Sequence, residues 1–123
     1  MVLVDTSVWI RFLANRTSYA VELDRLLALH QVTGHELVYA ELLIGDRGGR
    51  RKLLAAYERL QRASTVPHQE VVEFVRHRHR HLHGRGVGWI DIHLLASTIV
   101  ERLRLWTADP RFCDLAREHW GSV

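Results

Sequence analysis

Met1-Val2-Leu3-Val4-Asp5-Thr6-Ser7-Val8-Trp9-Ile10 packs a strand, an acid and a helix start into one short segment. Residues 1–4 read as a brief buried strand. Thr6 is expected to cap a helix that runs through Leu13. Between them stands Asp5, at the end of an apolar run. A carboxylate in apolar surroundings is costly unless a cation or hydrogen bonds compensate it. No Lys or Arg lies beside Asp5 in this segment.

The same anomaly recurs further along. Glu41 lies inside Leu37-Val38-Tyr39-Ala40-Glu41-Leu42-Leu43-Ile44, and Asp91 inside Trp89-Ile90-Asp91-Ile92-His93-Leu94-Leu95-Ala96. Asp109 follows Leu103-Arg104-Leu105-Trp106-Thr107-Ala108. Four such acids gathered in one small domain would repel one another strongly. A divalent cation is the simplest partner able to hold them together. The pattern therefore points to a metal-dependent phosphodiester hydrolase.

Each acid also has a plainer reading. Asp5 alone could merely join a strand to a helix. Glu41 sits mid-run in a helix buried on most sides, where an unpartnered glutamate is rare. Glu36 falls in the first turn of that helix and reads as a solvated acid favoured by the helix dipole. Asp91 is equally an early-turn acid. Asp109-Pro110 is a good N-cap followed by Pro at the first helical position, and Asp109 can spend one oxygen on the cap and one on a metal. The set of four carries the reading. The hydroxyls of Ser7 and Thr107 could support these acids through hydrogen bonds, and a plain capping or solvated role fits each equally well.

At 123 residues the chain is expected to form a single domain, 1–123, with an apolar fraction of 47%, ordinary for a globular protein. No apolar stretch is long enough to span a membrane. The N-terminus has no basic segment ahead of its first acid and does not read as a secretory signal. Cys113 is the only cysteine, which excludes an internal disulfide and fits a cytoplasmic protein. The net charge of +3 and pI of about 9.6 favour an anionic partner. Lys52 is the only lysine. A GC-rich coding sequence accounts for most of that bias, although arginine also suits phosphate.

Apolar spacing predicts an amphipathic helix over 18–30, whose apolar content could also serve a partner surface. A short strand is expected near Val32, a helix over Glu36–Ile44 stopping at Gly45, a turn at Gly48-Gly49 and a helix over Arg50–Gln61. A brief strand at 63–66, one helix over 68–83, a helix over Trp89–Arg102, a strand at 103–107 and a final helix from Pro110 complete the chain. Trp9, Trp89 and Trp106 are expected in the core with hydrogen-bonded indoles. Helices alternating with short strands imply an α/β fold with a mostly parallel sheet. Sites in such sheets form beyond the carboxyl ends of the strands, where Asp5 and Asp109 fall. Glu41 and Asp91 would arrive from helices beside that edge.

Asp5-Thr6-Ser7-Val8-Trp9-Ile10, Glu41-Leu42-Leu43-Ile44-Gly45, Gly88-Trp89-Ile90-Asp91-Ile92-His93-Leu94-Leu95-Ala96-Ser97 and Leu105-Trp106-Thr107-Ala108-Asp109-Pro110-Arg111-Phe112 together resemble the PIN-domain family. More narrowly they resemble the VapC-type ribonuclease toxins of bacterial toxin–antitoxin pairs. Each piece alone is weak, but the four in order span essentially the whole chain. The resemblance implies a PIN-like three-layer α/β/α sandwich with a short, mostly parallel central sheet. It implies an endoribonuclease dependent on Mg²⁺ or Mn²⁺, with RNA as substrate and metal-activated water as nucleophile. It further implies a homodimer and a cognate VapB-like antitoxin that occludes the site. Carried across, the catalytic and metal-binding acids are Asp5, Glu41, Asp91 and Asp109, with Ser7 and Thr107 in support. Two positions depart from the pattern. Arg111 stands where many relatives carry a further acid, which bears on a second metal. Glu36 stands where a small hydroxyl residue is common.

Arg76-His77-Arg78-His79-Arg80-His81-Leu82-His83 remains outside that pattern. His77 and His81, like His79 and His83, have the i, i+4 spacing that suits zinc. No acid or cysteine completes either pair, and the interleaved arginines repel a cation. A solvated basic face is the plainer reading, and RNA phosphate binding by Arg76, Arg78 and Arg80 the functional one. Arg47–Lys52 is a similar basic segment.

Other functions fit less well. A catalytically silent PIN-fold module that binds RNA or protein gains nothing from four repelling acids. A phosphoacceptor receiver-like domain would want paired acids near the start and a late lysine, and this chain has neither. A DNA nuclease of the same family would need extra elements to hold a duplex.

Overall fold

Strand β1 (Val2–Val4) lies between β2 (Val32–Thr33) and β3 (Arg104–Trp106) and runs parallel to both. The structure, a computed structural model, describes residues 1–120. Leu3 sits opposite Thr33 on one side and Leu105 on the other. As the central strand of a parallel sheet, β1 is buried on both faces: Leu3 and Val4 are fully buried.

Helices α1 (Thr6–Leu13) and α2 (Thr17–Ala28) connect β1 to β2. Helices α3 (Glu36–Ile44), α4 (Arg51–Glu58), α5 (His68–His77), α6 (His79–Leu82) and α7 (Trp89–Glu101) carry the chain back across β1 to β3. Helix α8 (Pro110–Trp120) follows β3. The two crossovers run in opposite directions from the central strand, so right-handed connections lay them on opposite faces. The α/β/α layering is the expected one. Because the chain leaves β1 toward β2 and later returns past it to β3, the carboxyl end of β1 is a topological switch point, where a crevice opens in sheets of this kind.

The core runs through the sheet into both helix layers, from Leu3, Val8 and Trp9 to Leu94, Leu95, Phe112 and Leu115. Trp9 meets Tyr57 and Phe12 edge to face, with centroids 5.4 and 5.9 Å away. Each such pair contributes ~0.5–1.5 kcal/mol beyond its buried area.

Several local expectations are corrected. Thr6 is the first residue of α1, and the cap position belongs to Asp5, whose side chain makes no capping bond. The strand at 63–66 does not form. Only Arg62 pairs with Gly34, because β2 ends at Thr33 and α3 begins at Glu36, leaving no backbone to extend the ladder. The single helix over 68–83 breaks at Arg78, whose N–H is shared between the Phe74 and Val75 carbonyls. Between Val75 and Leu82 the run offers no apolar side chain to hold a continuous helix on the core.

The tryptophans also divide. Trp9 is buried, but its indole N–H finds no partner among the described residues. Trp106 is half-buried and stacks on Tyr19. Trp89 is 42% exposed and belongs to the surface.

Candidate active site

Asp5 is the first residue after β1, at the switch point, and is almost fully buried. One of its oxygens, Oδ2, accepts hydrogen bonds from Ser7 Oγ at 2.7 Å and Thr107 Oγ1 at 2.9 Å. Both hydroxyls are themselves fixed by backbone donors. Ala108 N–H donates to Ser7 Oγ, and Asp109 N–H donates to Thr107 Oγ1. The loop after β3 thereby orients a carboxylate at the end of β1. Charge on Oδ2 is satisfied by neutral donors, and Oδ1 is left for another ligand.

Glu41 comes from the middle of α3. Its Oε1 accepts from Thr6 Oγ1 at 2.7 Å, which ties α3 to the start of α1. Thr6 is a site residue that the sequence reading assigned to helix capping. Its only signal was a hydroxyl adjoining the first acid. Asp109 does cap α8: Arg111 N–H donates to its Oδ1 at 2.9 Å. The Arg111 guanidinium lies 3.7 Å from the same oxygen. The departure at position 111 thus places a cation against Asp109 and partly neutralises it.

Asp91 sits in the first turn of α7, half-buried. Its pKa is pushed up to about 6, first by burial and then by the charge of Asp5, with Glu41 and Asp109 adding to it against a hydrogen bond from the Gly88 backbone. The charges of Asp5, Glu41 and Asp109 therefore all reach Asp91, beside the carboxyl edge of the sheet. Among the described residues no Lys or Arg stands within 4.0 Å of Asp5, Glu41 or Asp91.

This donor set, all oxygen and with a cation only beside Asp109 among the described residues, has the chemistry that Mg²⁺ or Mn²⁺ prefers. Among the described residues no three His, Cys, Asp or Glu side chains stand in an arrangement that would hold an ion directly. Asp91 feels the charge of the other three acids without the set closing on one point.

His35 was missed by sequence reasoning. It is 1% exposed at the start of α3. Its Nδ1 accepts from Leu37 N–H at 3.0 Å and caps the helix that carries Glu41. That leaves Nε2–H to donate to Ser97 Oγ, which in turn donates to the Ser64 carbonyl. Its backbone N–H donates to Tyr57 Oη at 2.8 Å. The signal available was its position one residue before a helix, although histidine is not a favoured cap.

Burial holds the His35 imidazole below its ordinary value of 6.5. The unfolded chain takes up that proton at a higher pH than the fold does, so this contribution to stability is complete above 6.5 and falls as the pH drops through that value. Asp91, pushed up from 3.8 to about 6, acts with the opposite sign below that range. The His35 contribution is therefore read as a difference. The loss of melting temperature between pH 7.5 and 5.5 should be smaller in His35→Asn than in the wild type. Equal losses in the two proteins would show that His35 is not the group responsible.

The basic run is dispersed by the break at Arg78. Arg76 pairs with Glu73 at 2.8 Å. Arg78 lies over the Phe74 ring and meets His119 Nδ1 at 3.2 Å. Arg80 is exposed, with no carboxylate within 4.0 Å among the described residues. His79 and His83 stack with centroids 5.2 Å apart. No helix among the described residues is long and apolar enough to cross a membrane.

Comparison with known proteins agrees with the geometry. The chain is 40% identical over 112 residues to Ribonuclease VapC32 of Mycobacterium tuberculosis, in strain CDC 1551 / Oshkosh and equally in strain ATCC 25618 / H37Rv. The match covers 90% of this chain and 86% of the relative. The PIN domain family matches residues 2–118. A three-layer fold, acids at its switch point and a match of that extent lead to one conclusion: this chain belongs to the PIN domain family.

Proposed function

We propose that this protein is a metal-dependent endoribonuclease, acting as the toxin of a bacterial toxin–antitoxin pair. The observation that supports the reading is that Asp5, Glu41 and Asp109 all act on Asp91, with no balancing Lys or Arg within 4.0 Å of Asp5, Glu41 or Asp91 among the described residues. A fold gains no stability from such a set, so its use lies in binding a cation. Likeness to a named ribonuclease over nine-tenths of the chain supports RNA as the substrate.

Asp5, Glu41 and Asp91 would hold the ion, with Asp109 completing the set through its uncapped oxygen. When bound, Mg²⁺ or Mn²⁺ supplies an activated water and neutralises charge developing on the phosphate. The chain's own residues hold the acids in place. Ser7 and Thr107 fix the Asp5 carboxylate from one side, and Thr6 fixes Glu41. Attack by water at phosphorus, with departure of the 3′ oxygen, leaves a 5′-phosphate and a 3′-hydroxyl. No protein nucleophile is required.

The test is cleavage of a labelled RNA by wild type and Asp91→Asn with Mn²⁺, followed by analysis of the product ends. Metal-dependent cuts bearing 5′-phosphates, lost in the variant, are expected. Cutting that persists in Asp91→Asn, or products with cyclic phosphates, would overturn this reading. Ser7→Ala and Thr107→Val are each expected to weaken Mn²⁺ binding ~10–100-fold, the range for residues that orient a metal ligand. Titration calorimetry would show whether either hydroxyl matters.

The proposal extends to a homodimer and a VapB-like antitoxin. Val21 and Leu29 near α2, and Leu43 and Ile44 at the end of α3, are large apolar side chains at least half exposed, as expected of surfaces that meet protein. A monomer by light scattering at micromolar concentration would contradict the dimer.

A further inference from the structure

Trp89 is a large aromatic that the core leaves out. It begins α7, two residues before Asp91, and is 42% exposed where Trp9 is 2%. The ring is braced. His93, one turn along α7, meets it edge to face at 4.7 Å, and His68 at the start of α5 meets it at 5.2 Å. These contacts fix the indole on the surface instead of letting it fold down.

Two open pockets adjoin Trp89. One, of about 270 Å³, is shared with Glu36, Thr65 and His93. The other, of about 210 Å³, is shared with His79, His83 and Leu82. Trp89 lines both. Each is smaller than the ~300–1,000 Å³ of a drug-sized ligand site and is suited to a single flat ring. Each is also too small for a partner helix. Arg80, exposed and without a carboxylate partner among the described residues, stands in the same basic run as His79 and His83. Flat aromatic surface beside positive charge is how proteins grip single-stranded nucleic acid. The bases stack on the rings, and the cations take the phosphates.

We propose that Trp89, held by His68 and His93, is a stacking platform for unpaired bases of single-stranded RNA, with one base in each flanking pocket and Arg80 on the adjoining phosphates. This rests on the ribonuclease reading and names the part of the substrate that is gripped. Helical spacing puts Trp89 and Asp91 on opposite sides of the start of α7. A helix is ~10–12 Å across. RNA stacked on Trp89 therefore has to pass around the start of α7 to reach the acids. The platform would favour unpaired RNA, since a base held in a duplex must first be unpaired and unstacked to enter either pocket.

The experiment is anisotropy of a labelled single-stranded oligoribonucleotide of about 12 nucleotides, within the span such proteins cover, measured in EDTA so that no cleavage occurs. Trp89→Ala should bind ~10–100-fold more weakly, as loss of one or two base stacks requires. Trp89→Phe should stay within a few-fold of wild type. An abasic oligomer of the same length should bind wild type and Trp89→Ala alike. Exposure of the side chain means that both variants should melt near wild type, and the phenylalanine variant controls for any loss of fold. If Trp89→Ala binds the base-bearing RNA as tightly as wild type while wild type still cleaves RNA with Mn²⁺, the platform is wrong and the ribonuclease reading stands. If wild type neither binds nor cleaves RNA, both fall.

Discussion

Asp5→Asn is expected to lower RNA cleavage by ~1,000-fold or more while leaving the protein folded. The ion's stabilisation of charge on the reacting phosphate amounts to several kcal/mol, and each 1.36 kcal/mol is a factor of ten in rate. Asparagine keeps the shape. Its carbonyl oxygen can accept from Ser7 and Thr107 as Asp5 Oδ2 does, so the loop after β3 stays in register. What disappears is a buried negative charge that raises the pKa of Asp91. The metal-free variant should therefore melt higher than metal-free wild type. A gain of ~1 kcal/mol would appear as ~4 °C in a domain of this size. Cleavage assayed beside thermal melting in EDTA reads both effects. An inactive variant that melts lower would mean that Asp5 holds the fold together and would leave its part in catalysis open to challenge.

Saturating Mn²⁺ should raise the melting temperature of the wild type by ~10 °C. A ligand that binds only the folded state at a hundred times its dissociation constant adds ~2.7 kcal/mol, and the same conversion gives the shift. Repulsion among the acids makes the effect specific, because the ion relieves a strain that the unfolded chain does not carry. In Asp5→Asn the shift should shrink to a few degrees. Equal shifts in both proteins, or none in either at saturating Mn²⁺, would place the ion elsewhere or nowhere.

Most of the helices and the parallel sheet were legible because apolar periodicity and local punctuation agreed. Val2–Val4, Glu36–Ile44 with Gly45 after it, and Trp89–Glu101 form close to where the residues predict. The segment at 63–66 was misread because a strand needs a partner with backbone to offer, and β2 is too short to supply it. The break at Arg78 was missed because no Gly or Pro stands between His68 and His83 to mark it, while the core contact that would hold one continuous helix is absent.

The site divides in the same way. Acids in apolar runs are visible in sequence, and so is a hydroxyl two residues from one of them. Ser7 and Thr107 were found by that rule. The contact from Thr6 to Glu41 spans 35 residues and leaves no periodic trace. The His35 relay through Ser97 to Ser64 is equally non-local. Trp89 was placed in the core because tryptophan usually belongs there. Only the three-dimensional arrangement of His68, His93 and the flanking pockets shows an indole held outward.

The first measurement to make is cleavage of a labelled total-RNA pool by the purified protein with Mn²⁺, with EDTA in its place, and with Asp5→Ala in Mn²⁺. Discrete cuts that require both the metal and Asp5 are expected, and their positions would identify the target. Cuts that survive in EDTA or in Asp5→Ala would contradict a metal-dependent ribonuclease centred on these acids.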